Sequence, residues 1–90
     1  MALFIIVVYD IDVKRVNKVL KICRKYLTWV ENSVLEGNIE ESGLNRLVGE
    51  LKRTIKESED SVLIYKFRTT RYFSRELIGT EKGKEEQFFL

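Results

Sequence analysis

An α+β fold, with one antiparallel sheet carrying two helices on one face, follows from three features of the sequence. The first is an unbroken apolar run, Ala2-Leu3-Phe4-Ile5-Ile6-Val7-Val8-Tyr9, which ends on Asp10. The second is a pair of segments with helical periodicity, over residues 13–27 and 41–57. The third is the chain order that results: strand, helix, extended segment, helix, strand, strand. Two amphipathic helices cover one face of such a sheet and leave the other without a partner layer.

The opening run is rich in β-branched and aromatic residues, so it reads as a strand buried on both faces. It is far too short to span a membrane. Asp12 is the expected N-cap of the first helix. Val13, Val16, Leu20, Cys23 and Leu27 recur at steps of three and four and would share its inner face. Cys23 reads there as a small buried hydrophobe. Residues 29–39 are extended, with an alternation broken near Asn32-Ser33 that predicts a bulge, a kink or two short strands. Glu36-Gly37-Asn38 is the expected exit turn. In the second helix Leu44, Leu47, Val48, Leu51 and Ile55 form the apolar face, and Lys52, Arg53 and Lys56 near its end suit the macrodipole. A turn over residues 58–61 leads to a strand over 62–67, a basic connection, and a more exposed strand over 72–79. In order these elements fit a ferredoxin-like sandwich, a single domain over residues 1–90.

The sheet face without helices needs a cover. A second copy packed sheet against sheet supplies one, most simply as a twofold homodimer. The apolar end Phe88-Phe89-Leu90 points the same way, either as a dimer-interface segment added to the partner's sheet edge from about residue 80 onward, or folded back on its own subunit.

The chain has 90 residues, 33% of them charged, a net charge of +2 and no histidine. Without histidine the commonest general base and the commonest neutral metal ligand are missing. Catalysis would fall to carboxylates, tyrosine, lysine or metal-bound water. One cysteine excludes an internal disulfide framework, and the start of the chain shows no signal-peptide pattern, so a cytoplasmic location is expected.

Asp10, where the first strand leaves the core, is either a turn-former or a working group. One carboxylate holds Mg²⁺ or Mn²⁺ poorly. In a twofold dimer whose axis passes near the strand end, two copies of Asp10 would share one ion, and that ion would activate water and stabilise a phosphoryl transition state. The first helix carries Lys14, Lys18, Lys21 and Lys25 on one stripe, flanked by Arg15 and Arg24. No acidic residue lies between Val13 and Val30, so these charges have no local partner. Lys14, Arg15, Lys18 and Lys21 are the candidate phosphate contacts, against a plain solvated helix face. Tyr26 and Trp29 are candidates for base stacking, against core packing.

Several of these stretches together resemble a known family. Val7-Val8-Tyr9-Asp10-Ile11, the basic first helix, Trp29-Val30-Glu31-Asn32-Ser33-Val34-Leu35-Glu36-Gly37 and Leu77-Ile78-Gly79-Thr80-Glu81-Lys82-Gly83 are similar, in the right order, to the small CRISPR-associated adaptation proteins of the Cas-two family. The resemblance implies a ferredoxin-like homodimer with the C-terminal strand exchanged onto the partner's sheet and a divalent ion between paired Asp10 side chains. It implies two activities: metal-dependent cleavage of single-stranded RNA or double-stranded DNA, and a non-catalytic role as the central dimer bridging Cas-one integrase subunits in spacer acquisition. The family's polar and basic cleft positions carry over to Tyr9, Asp10, Arg15 and Ser33, with Tyr9 and Ser33 joining Asp10 as implied catalytic residues. Two positions depart from the family pattern: Leu35, where Phe is frequent, and Asn32, where some members have a basic residue.

Overall fold

β1 (Ala2–Asp10) lies inside a four-stranded sheet, between β3 (Val34–Glu40) and β4 (Ser61–Phe67), with β2 (Thr28–Glu31) beyond β3. α1 (Val16–Arg24) joins β1 to β2, and α2 (Glu41–Thr54) joins β3 to β4. The order β2-β3-β1-β4, antiparallel throughout, is the expected ferredoxin-like arrangement. The computed structural model describes residues 2–68 together with Glu76, Ile78 and Gly79. Apart from those three positions, the strand expected over 72–79 and the exchange segment over 80–90, with Phe88, Phe89 and Leu90, lie outside the described residues.

The register divides β1 into two faces. Ile5, Val7 and Tyr9 are buried against the helices with Leu35 and Ile39 of β3, Val19, Ile22 and Cys23 of α1, and Leu44, Leu47 and Leu51 of α2. Phe4, Ile6, Val8 and Asp10 point the other way, directly opposite Phe67, Tyr65, Leu63 and Ser61 of β4. On β3 the same face carries Val34, Glu36 and Asn38. β1 is therefore buried on one face only within a single chain, not on both. The other face exposes apolar surface, with Leu63 52% and Tyr65 48% accessible.

Several expectations about the elements are corrected. α1 spans Val16–Arg24, shorter than residues 13–27, because turns claim both ends. The Asp12 carboxylate accepts the Lys14 N–H at 2.9 Å, and its carbonyl accepts the N–H groups of Arg15 and Val16. Asp12 thus holds the turn before the helix instead of capping it, and Val13 is 82% exposed. The inner face centres on Val19, Ile22 and Cys23, with Val16 and Leu20 at its margin.

Glu36-Gly37-Asn38 is not a turn: all three lie in β3, paired with Ile6, Ile5 and Phe4. The full-length ladder with β1 overrides the local turn preference. A Cβ on Gly37 would lie 3.5 Å from the Leu27 side chain, an ordinary contact, so the strand would accept a side chain there. α2 ends at Thr54 rather than residue 57, since Ile55 is already extended. The broken alternation over 29–39 resolves as two strands, with a register shift between Trp29 and Glu31 and a turn at Asn32-Ser33.

Candidate functional site

Asp10 is the last residue of β1 and lies opposite Ser61 on the face that carries no helix. It is exposed, and among the described residues its carboxylate has no hydrogen bond or ion pair. Tyr9 precedes it and points to the opposite side of the sheet. Only 6% of Tyr9 is accessible, and its hydroxyl donates to the Asn32 carbonyl at 3.3 Å. Burial, with a smaller contribution from nearby Cys23, raises the Tyr9 phenol above its ordinary pKa.

Ser33 is drawn to the same strand end by its backbone: its carbonyl accepts the Tyr9 N–H at 3.1 Å. The turn before it is locked by Asn32, which adopts a left-handed φ of 37°. The Asn32 carbonyl also accepts the Trp29 indole N–H at 2.7 Å. Tyr9, Asp10 and Ser33 therefore meet at one end of the sheet, with Tyr9 in the core, Ser33 part-buried and Asp10 exposed. Among the described residues no three side chains of metal-ligating type come together within one chain. A single carboxylate on an open face fits a hard divalent cation only if a second subunit supplies more oxygens.

Asp60 is the residue that sequence reasoning missed. Its side chain has no accessible surface and accepts from four donors. Oδ1 takes the Asp12 N–H at 2.8 Å and Arg15 Nη2 at 3.1 Å; Oδ2 takes Arg15 Nε at 2.6 Å and the Lys56 N–H at 2.8 Å. The bidentate Arg15 guanidinium, helped by the two backbone donors, holds the Asp60 carboxyl well below the usual carboxylate range despite burial. Asp60 fastens the loop after Asp10 to the loop before β4. Its one signal in the sequence was an acid in the turn 58–61, which composition cannot tell from a solvated turn residue.

The basic stripe is split by this arrangement. Lys14, Lys18 and Lys21 are exposed. Arg15, expected to lack an acidic partner, is instead held by Asp60 and by Glu59, whose carboxylate lies 2.9 Å from Nη2. Those partners come from far along the chain, where local charge counting does not reach. Lys25, at the end of the stripe, pairs with Glu50 of α2, which also accepts the Tyr26 hydroxyl. These two contacts, Lys25 first, lower the Glu50 pKa. The Arg24 guanidinium lies 5.6 Å from the centroid of the Trp29 ring. Trp29 and Tyr26 are both part-buried and pack against the core.

Residues 1–75 match the family model described as CRISPR associated protein Cas2. The chain is 49% identical over 85 residues to a CRISPR-associated endoribonuclease Cas2 of Dictyoglomus turgidum, covering 94% of this chain and 98% of that one. It is 46% identical over 87 residues to the protein of the same description from Thermotoga maritima, covering 97% and 100%. Among solved structures, a crystal structure described as cas2 superposes with a TM-score of 0.81 at 44% identity, over 91% of this chain and 92% of the other. Streptococcus pyogenes Cas2 superposes with a TM-score of 0.71 at 26% identity, over 82% and 98%.

Proposed function

The chain belongs to the CRISPR-associated Cas2 family, and from that premise we propose that it is a homodimeric, metal-dependent nuclease that cleaves RNA phosphodiesters at paired copies of Asp10. The observation that carries this is the position of Asp10, a carboxylate without a protein partner among the described residues, on the apolar sheet face that needs a second layer. Burying that face between two subunits brings two copies of Asp10 toward one site. Mg²⁺ or Mn²⁺ held by them would offset charge on the phosphate under attack. In this scheme Tyr9 and Ser33 are positioning residues. The Tyr9 hydroxyl pins the β2–β3 turn and its N–H holds the Ser33 carbonyl, so the strand end that carries Asp10 is fixed from one side. The similar proteins from Dictyoglomus turgidum and Thermotoga maritima are described as endoribonucleases, which favours RNA as substrate.

The test is cleavage of single-stranded RNA with Mg²⁺ or Mn²⁺ by Asp10→Ala. Cleavage should be lost while the dimer persists in sedimentation. A variant that still cuts at the parental rate removes Asp10 from the chemistry.

A second reading has its own observation: Lys14, Lys18 and Lys21 lie exposed on and just before α1. Such a cationic strip suits contact with a duplex backbone without reading its sequence. This fits the family's adaptor role, bridging Cas-one integrase subunits on double-stranded DNA during spacer acquisition. The two roles are compatible, since Asp10 and the lysines belong to different faces. Duplex binding that survives Asp10→Ala would support the adaptor role; binding lost with Asp10 would count against it.

A further inference from the structure

We propose that Asp60 is a positioning residue for Asp10, setting the geometry of the proposed metal site from beneath the β1–α1 loop. The inference rests on the reading of Asp10 as a metal ligand and adds a residue to it. Two independent links join Asp60 to Asp10. Along the sheet, Asp10 pairs with Ser61, the residue that follows Asp60. Through side chains, Asp60 accepts the Asp12 N–H and both donors of the Arg15 fork, and so grips the chain on the far side of Asp10. Asp60 is itself held from below. Its N–H donates to the Lys56 carbonyl at 2.8 Å, and its carboxylate accepts the Lys56 N–H, closing the turn into β4. The backbone at Asp10 is thereby held between a β-ladder and a buried carboxylate, while its own side chain has no partner among the described residues.

Arg15 is part-buried where Lys14 and Lys18 are exposed, its guanidinium bonds both Asp60 oxygens, the Asp12 N–H bonds one of them, and no buried side-chain polar atom lacks a partner among the described residues. Planar bidentate pairs fix direction as well as distance. Groups hydrogen-bonded directly to a metal ligand change metal affinity about 10–100-fold when altered; Asp60 reaches Asp10 through the backbone on either side of it, so a smaller loss is expected.

The experiment uses the full chain and needs no substrate. Mn²⁺ binding is titrated by electron paramagnetic resonance for the parent, Asp60→Asn, Asp10→Ala and Ile39→Val, a core truncation at the opposite end of the sheet. Amide exchange at residues 11–14 is followed by NMR without metal. Asp60→Asn should keep the native spectrum and the dimer, weaken Mn²⁺ binding by about 3–10-fold, less than loss of a directly bonded outer-shell partner, and speed exchange at Ile11 and Asp12. Ile39→Val should leave Mn²⁺ affinity as it was. A folded Asp60→Asn with Mn²⁺ affinity within about twofold of the parent, or with unchanged exchange at residues 11–14, overturns the proposal. If the parent and Asp10→Ala bind Mn²⁺ equally, Asp10 itself is not a ligand, and the exchange arm alone then decides whether Asp60 holds the loop. Should Asp60→Asn fail to fold, Arg15→Lys keeps the charge, removes the fork and is scored in the same way.

Discussion

Truncating Leu63 to alanine should weaken self-association while sparing the single subunit. Leu63 lies on β4 opposite Val8, on the face shared by Phe4, Ile6, Tyr65 and Asp10, and 52% of it remains accessible in the isolated chain. Full burial of a leucine side chain stabilises by about 1.5–3 kcal/mol. Covering the accessible half is worth about 1 kcal/mol. A twofold interface contains the residue twice, so the dimer loses about 2 kcal/mol, and its Kd rises ~30-fold. Leu63→Asp should go further, because it adds a charge beside Asp10 that the interface must desolvate. Sedimentation equilibrium over a wide concentration range gives the Kd directly. Thermal unfolding at concentrations below that Kd checks that the subunit is intact. Val13→Ala, at a residue 82% exposed and outside the sheet, should leave association unchanged. If Leu63→Ala associates as tightly as the parent, this sheet face is not the interface. If the parent itself stays a single subunit with RNA and Mg²⁺ present, the paired-carboxylate proposal fails with it.

Reversing Lys14, Lys18 and Lys21 to Glu should weaken duplex binding and lower the log–log salt slope by about 0.9 per lost phosphate contact; a slope unchanged between 50 and 200 mM salt would remove these lysines from the contact surface (roughly the range in which counterion release is read). Asn32→Gly should be neutral or slightly stabilising and Asn32→Ala destabilising by about 1 kcal/mol, since φ is 37° there; urea titrations that rank Ala above Gly would contradict the strained turn. Asp60 has a depressed pKa in the folded state, so its contribution to stability is complete above the unfolded value of about 4 and is lost as pH falls toward the folded value. The stability gap between the parent and Asp60→Asn should be constant near neutrality and narrow only below about pH 4; a gap that narrows between pH 6 and 8 would assign the effect to another group.

The sequence told most where one interaction dominates. β1 was legible because its apolar run has no competing reading, and its observed bounds, Ala2–Asp10, are those expected. α2 was legible because Leu44, Leu47 and Leu51 keep one phase along its length. The inner face of α1 was legible in part: Cys23 is buried and Val16 and Leu20 pack against the core as expected, but its apolar arc is broad, so Val19 and Ile22 were passed over and Val13, 82% exposed, was wrongly included. Gly37 misled because a glycine between polar residues signals a turn locally, whereas pairing of residues 36–38 with the distant β1 holds them extended. At the site, Asp10 could be singled out because strand exit and carboxylate coincide. Asp60 could not, because its partners Asp12 and Arg15 are separated from it by 48 and 45 positions. Charge stripes are local objects in sequence, whereas ion pairs are not, so Arg15 and Lys25 looked free until α2 and the loop before β4 were in place.

In the proposed dimer, assembly and chemistry use the same face of the sheet. Phe4, Ile6, Val8, Leu63 and Tyr65 would supply the apolar burial, and Asp10 lies at the end of the same row. Two carboxylates brought together oppose that burial, because each desolvates the other and like charges repel. A divalent cation would remove the opposition, so metal binding and association would be linked, and by reciprocity each would strengthen the other. A subunit with one such carboxylate and no histidine would then be inert alone and competent only when paired. The Asp60–Arg15 clamp fits this logic. A ligand that must meet its counterpart across a twofold axis gains from being fixed in direction before the encounter, since every freedom left to the β1–α1 loop would be lost twice on association.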